Sequence, residues 1–199
     1  MPRTGALFVL AGPAGVGKST LRNALLARLD QLAFSVSCTT RPARPDERDG
    51  RDYHFIFRDR FESLIADDAF LEWAEVHGRY LYGTLKRDVW RQTERGRDVL
   101  LEIDVQGAAQ IRRRARSLPA EVHFIFVLPP SWATLLERLR KRKTEEPDEL
   151  EHRLQSAKRE LAEAPKFDLL VVNRDVDEAL MELMRFVRSA RGPLTADTT

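Results

Sequence analysis

The sequence predicts an α/β fold in which a parallel sheet is flanked by helices, and three observations carry that expectation. Leu7–Ala11, Asp98–Ile103 and Glu121–Leu128 are short, nearly continuous apolar runs of the kind that form strands covered on both faces. Amphipathic helical stretches alternate with them, as the crossovers of a parallel sheet require. A glycine-rich turn at residues 12–19 joins the first such run to the first helix. At 199 residues the chain suffices for one folding unit with subdomains.

Taken in order, Leu7–Ala11 reads as a buried strand, and Ser19–Leu29 as a helix with Leu21, Leu25, Leu26 and Leu29 along one side. Phe34–Thr40 alternates like a half-buried strand. The Pro- and charge-rich Arg41–Arg51 is a loop, and Tyr53–Phe57 a return strand, which together suggest a small sheet of their own. A helix over Asp59–Ala69, a strand over Leu71–Val76 and a helix over Lys86–Arg95 stopped by Gly96 follow. Gly107–Ser117 is the helix between the two long apolar strands. Ser131 is placed to cap a helix running to Arg142, with Leu135, Leu136 and Leu139 on one side and a basic last turn. The polar stretch Lys141–Asp148 breaks the pattern. A helix over Asp148–Glu163, a strand over Leu169–Val172, a helix over Val176–Ala190 and a frayed tail over Gly192–Thr199 complete the chain.

Composition narrows the functional classes. With 43% apolar and 32% charged residues the chain is that of a globular protein. Its net charge of +2, from 33 basic and 31 acidic residues, advertises no nucleic-acid partner. No apolar run approaches the roughly 20 residues of a membrane span, and residues 1–11 lack a cleavable signal pattern. A single cysteine, Cys38, suits a reducing, cytoplasmic compartment. The four histidines lack metal-ligand spacing, and Trp73, Trp90 and Trp132 read as packing residues. Monomer and homo-oligomer stay open.

Gly12-Pro13-Ala14-Gly15-Val16-Gly17-Lys18-Ser19 matches the phosphate-binding loop of the P-loop NTPase fold at every fixed position, with a strand before it and a helix after. Glycines let successive backbone N–H groups converge on phosphate oxygens at the positive end of a helix. Lys18 is placed for the β and γ phosphates, and the Ser19 hydroxyl for a bridging Mg²⁺, so Mg-ATP is the expected ligand. Further on, Arg41 and Arg44 follow Ser35 and Ser37 at a strand end. Two guanidinium forks suit a dianionic phosphate.

These segments, together with Asp49-Gly50-Arg51-Asp52-Tyr53, Phe70-Leu71-Glu72-Trp73-Ala74-Glu75 and Leu101-Glu102-Ile103-Asp104-Val105-Gln106-Gly107, resemble the guanylate kinase family in order and spacing over roughly residues 6–187. The resemblance implies transfer of the γ-phosphoryl group of ATP to GMP or dGMP. It implies that Arg41, Arg44, Tyr53 and Tyr82 grip the GMP phosphate, that Ser37, Glu75 and Asp104 read guanine, and that Thr84 belongs to the same site. A carboxylate such as Glu75 can accept from the ring N–H and the exocyclic amine of guanine, a donor pair adenine lacks. Glu102 and Asp104 share a strand face, with Glu102 on the metal side, through water, and Asp104 at guanine, or the reverse.

The ATP site would comprise Gly12 to Thr20 with Asn173 near the adenine, and Lys18, Arg41, Arg138, Arg142 and Arg153 would stabilise the transferring phosphoryl group. The resemblance also divides the chain into a core (1–33, 97–137 and 156–191), a GMP-binding subdomain with its small mixed sheet (34–96), a helical lid (138–155) and the tail. The sequence departs from the family at Lys143, where glycine is usual, at Arg174, where an acid is common, and in one additional residue between Gly78 and Tyr82, which makes Tyr80 an alternative to Tyr82. Two other readings have a place: a kinase for a different phosphorylated acceptor, and an interaction module that keeps the fold without catalysis.

Overall fold

The computed structural model of the chain describes residues 4–76, 78–141 and 147–191. Arg142, Lys143, His77 and the tail at 192–199 lie outside the described residues. The chain forms two compact units, one from Met1–Leu7 with Gln31–Val122 and the other from Phe8–Asp30 with His123–Thr199. These bounds differ from the subdomain division read in the sequence.

The elements run β1 (Leu7–Ala11), α1 (Lys18–Leu26), β2 (Leu32–Phe34), β3 (Cys38–Thr39), β4 (His54–Phe55), α2 (Arg58–Ala66), β5 (Phe70–Val76), β6 (Tyr80–Leu85), α3 (Lys86–Thr93), β7 (Asp98–Glu102), α4 (Val105–Arg114), β8 (Val122–Leu128), α5 (Trp132–Lys141), α6 (Pro147–Ala162), β9 (Leu169–Val172) and α7 (Val176–Ala190). A five-stranded sheet has the order β2-β7-β1-β8-β9 and a four-stranded sheet the order β4-β3-β6-β5. Among the described residues no helix is long and apolar enough to cross a membrane.

Within the first unit, β2 and β7 pair in parallel, with Leu32 opposite Asp98 and Phe34 opposite Leu100. The buried Asp98 carboxylate accepts from the Ala6 backbone N–H at 2.9 Å. The single strand expected over Phe34–Thr40 is in fact two. Its first residue ends β2, and after Ser35–Ser37 the chain enters the other sheet as β3. β4 runs parallel to β3, Cys38 opposite His54, so the intervening loop is a crossover rather than a hairpin turn. β6, not anticipated as a strand, forms an antiparallel hairpin with β5. Cys38, Phe61, Phe70, Leu81 and Leu85 form the core between this sheet and α2, and burial raises the Cys38 thiol to about 11.

In the second unit β8 and β9 pair in parallel, Ile125 opposite Leu169 and Leu128 opposite Val172. α1 packs on α7, and Phe8 stacks on His123 at 5.1 Å between centroids. Ser131 caps α5, its hydroxyl accepting from Thr134 N–H at 3.1 Å. Asp175 caps α7 by accepting from the N–H groups of Asp177 and Glu178 at 2.9 and 3.0 Å.

Candidate active site

Two sets of side chains matter, one in each unit. In the second unit the loop between β1 and α1 has the conformation its glycines allow. Gly12 has φ of 142° and any Cβ there would stand 2.5 Å from the Val127 carbonyl oxygen. Gly17 precedes α1 in the left-handed region at φ 93°. Its missing Cβ leaves room for the Asn173 side chain, whose nitrogen would otherwise lie 2.5 Å away. The N-terminus of α1 thereby opens onto the loop, where its unsatisfied N–H groups and helix dipole favour anions.

Lys18 Nζ donates to the carbonyls of Gly12 and Pro13 at 2.6 and 3.0 Å. Ser19 and Thr20 are exposed on the first turn of α1, while Ala14 and Gly15 are half-buried. The Val16 carbonyl accepts from Asn173 Nδ2 at 2.7 Å and from Arg138 Nη1 at 3.4 Å. Arg138 Nη2 donates to the Asn173 carbonyl at 3.5 Å. Asn173, buried at the end of β9, is thus turned toward the loop backbone, which makes it a support of the phosphate loop. Arg138 lies beside it on α5, and Arg153 is half-buried on α6. Arg142 lies outside the described residues.

In the first unit the loop after β3 presents Arg41 and Arg44. Arg41 is 12% exposed, and Arg44 is 60% exposed. Arg41 uses its whole fork: Nε donates to the Tyr82 hydroxyl at 3.1 Å, Nη1 to the Pro42 carbonyl at 2.6 Å, and Nη2 to both oxygens of Glu47 at 2.8 and 2.9 Å. Burial pulls this guanidinium down, but the bonds to Glu47 and Tyr82 outweigh it, and the net shift is upward. Glu47 also accepts from the Arg44 backbone N–H at 2.9 Å. Tyr53 packs edge-on against Tyr82, with centroids 5.7 Å apart, and the Arg41 guanidinium lies 5.6 Å from the Tyr53 ring centre. Burial, and next the Glu102 charge, push the Tyr53 hydroxyl up to about 12, so it stays a donor at neutral pH. Tyr80 is at the far end of the hairpin under the Arg79 guanidinium, 4.9 Å away; Tyr82 is the tyrosine at Arg41.

Of the residues expected to read the base, Glu75 stands apart from the others. Glu75 is exposed, on the opposite face of β5 from Glu72. Strand alternation decides this: Glu72 and Ala74 are buried, whereas Trp73 and Glu75 face outward. Glu72, only 4% exposed, pairs across the sheet with Thr84 and accepts from its hydroxyl at 2.6 Å. The Ser37 hydroxyl lies 3.4 Å from that of Thr84. Burial, against the restraining Thr84 hydrogen bond and with the neighbouring Asp104 charge, pushes the Glu72 carboxyl up to about 7. It is the carboxylate joined to Thr84 by a hydrogen bond, with Ser37 next in line and the Asp104 charge nearby.

The two carboxylates at the end of β7 part company. Glu102 acts on Tyr53, whereas Asp104 acts on Glu72 and caps α4 by accepting from Gly107 N–H at 2.8 Å. Glu47 was also missed. Its signal in the sequence was an acid three residues after Arg44 inside a loop otherwise rich in arginine.

The guanylate kinase family model matches residues 4–190. The chain belongs to the guanylate kinase family. It is 46% identical over 191 residues to the guanylate kinase of Thermotoga maritima, covering 96% of this chain and 90% of that one. It is 45% identical to that of Thiobacillus denitrificans over 94% of this chain and 87% of that protein. The crystal structure of guanylate kinase from Anaplasma phagocytophilum superposes with a TM-score of 0.77 at 32% identity, covering 96% of this chain and 88% of that one. Within this guanylate kinase family chain, the acid of β5 that is buried is Glu72.

Proposed function

We propose that the chain transfers the γ-phosphoryl group of ATP to GMP or dGMP, giving ADP and GDP or dGDP, and that Glu72 selects the base. The observation that carries this reading is the buried Glu72 carboxylate in one network with Thr84 and Ser37. Guanine offers N1–H and the exocyclic amine side by side, which two carboxylate oxygens accept together, and the Ser37 hydroxyl can donate toward O6 while that of Thr84 donates to the carboxylate. Adenine presents an unprotonated N1 at the same edge, so its binding leaves a buried acceptor unpaired.

Arg41, Arg44, Tyr53 and Tyr82 hold the GMP phosphate. Because every edge of the Arg41 fork is occupied in the protein alone, the incoming dianion takes over hydrogen bonds now made to Glu47, and that exchange compensates its loss of hydration. At the other substrate, the loop N–H groups bind the β and γ phosphates, and Lys18 leaves the Gly12 and Pro13 carbonyls for phosphate oxygens. Asn173 keeps the Val16 peptide in place. Arg138, with Arg153 and Arg142, stabilises charge on the transferring group.

Mg²⁺ suits this site through the Ser19 hydroxyl, a hard oxygen donor exposed in the first turn of α1. Among the described residues no three His, Cys, Asp or Glu side chains gather to hold a metal, as fits a cation carried in by the triphosphate. Held there, it would supply positive charge to offset that of the triphosphate. Glu102 is the carboxylate we assign to it, through water. The attacking GMP oxygen is already ionised, so alignment and charge stabilisation, not proton transfer, are the protein's task. The buried thiol of Cys38, the single cysteine, fits a reducing cytoplasm.

The test is ADP formation from Mg-ATP with GMP, AMP, CMP and UMP as acceptors. GMP is expected to be strongly preferred. Glu72→Gln should lower kcat/KM for GMP on the order of 10²- to 10³-fold, because its amide presents a donor where an acceptor is needed. Glu75→Gln should leave it near the wild-type value. The reverse pattern would return the base-reading role to Glu75.

A further inference from the structure

We propose that Gly107 sets base specificity, because the space left by its absent side chain is where the Glu72 carboxylate sits. The proposal rests on the reading of Glu72 as the base-selecting group. Gly107 lies in the first turn of α4, and its φ is not in the positive region. Nothing in the backbone there requires glycine, which is the poorest helix former after proline. The space above it explains its presence. A Cβ at this position would overlap Glu72 Oε2, stand 3.0 Å from Glu72 Cδ and 3.3 Å from Ile103 Cδ1.

The carboxylate cannot retreat freely from such a methyl group. Its other oxygen is held by the Thr84 hydroxyl at 2.6 Å, and the Thr84 and Ser37 hydroxyls are 3.4 Å apart. A methyl at 107 therefore turns the plane of the carboxylate and misaligns the two oxygens that must meet two adjacent N–H groups. Gly107 touches no nucleotide in this account; it is a positioning residue that acts through Glu72.

Steady-state kinetics and melting of four variants test this: Gly107→Ala, Glu72→Gln, Glu72→Asp and the double variant Glu72→Asp/Gly107→Ala. Gly107→Ala should raise the KM for GMP about ten-fold or more, as misplacement of a binding group does, with the KM for ATP unchanged and Tm equal or higher. Aspartate is one methylene shorter and draws the carboxylate back from the methyl. The double variant should accordingly perform no worse than Glu72→Asp alone, a non-additivity that marks direct contact.

A wild-type KM for GMP in Gly107→Ala, with Glu72→Gln impaired, overturns the role of Gly107 and leaves that of Glu72 standing. An unimpaired Glu72→Gln overturns both. Should Gly107→Ala lower Tm and raise both KM values alike, the glycine serves helix packing, and the proposal also fails; a double variant as poor as the product of its parts is equally against it.

Discussion

Glu72 and Glu75 are three positions apart on one strand and chemically identical, yet only Glu72 is buried, because β5 alternates its faces. The buried one carries a measurable signature. Its carboxyl sits at about 7 against 4.5 for an ordinary glutamate, so the folded protein binds a proton there more tightly than the unfolded chain. The stability this confers is fully present below about pH 4.5 and is lost as pH rises through about 7, on the order of 3 kcal/mol in all. In thermal melts without nucleotide, Glu72→Gln should gain on the wild type steadily between pH 5 and 8. GMP needs the ionised form, so its binding near pH 6.5 should release a proton, visible by calorimetry in buffers of different ionisation enthalpy. An absence of both effects would mean that Glu72 stays ionised in the empty pocket. The phosphate loop and the paired arginines were legible because their spacing alone specifies them. Glu72 was not, because two acids flanked one tryptophan and the choice depended on strand register, which a partner strand sets.

That partner, β6, was the element most clearly missed. Tyr80 to Leu85 contains Gly83 and three aromatic or hydroxyl side chains on one face, which weakened its apolar signal, although the alternation and the turn at Gly78 were both there to read. The Phe34–Thr40 run was legible as extended chain but not as two strands in different sheets, because the Ser35–Ser37 link carries no proline or glycine to mark it. Helix α4 starts two residues before its expected first residue, and the cap that fixes its start is Asp104, a residue also expected at the base. Caps are local features with a local energy. Asp175 accepts from two N–H groups at the start of α7, and Asp175→Ala should cost about 1 kcal/mol in urea unfolding. The KM values for ATP and GMP should not change, which would separate this helix-capping role from any contact with substrate.

At the scale of the molecule, the alternation of apolar strands and amphipathic helices was enough to predict the parallel sheet, and the sheet order and the TM-score of 0.77 to a guanylate kinase agree with it. The division into units was not legible, since it depends on which distant segments pack together. The unit that carries the phosphate loop is assembled from Phe8–Asp30 and His123–Thr199, with the other unit's chain between them. The bond from Asn173 to the Val16 carbonyl spans 157 positions of sequence. During synthesis the loop is therefore among the first parts to leave the ribosome and among the last to gain its support. The Arg41, Tyr82 and Glu72 site, complete once residue 122 has emerged, can be formed well before that. Ribosome-stalled chains ending near residue 160 should protect the GMP-side loop from protease while failing to retain ATP. Until the C-terminal segment arrives, the nascent chain carries a triphosphate-binding motif without the Asn173 bond that braces its backbone.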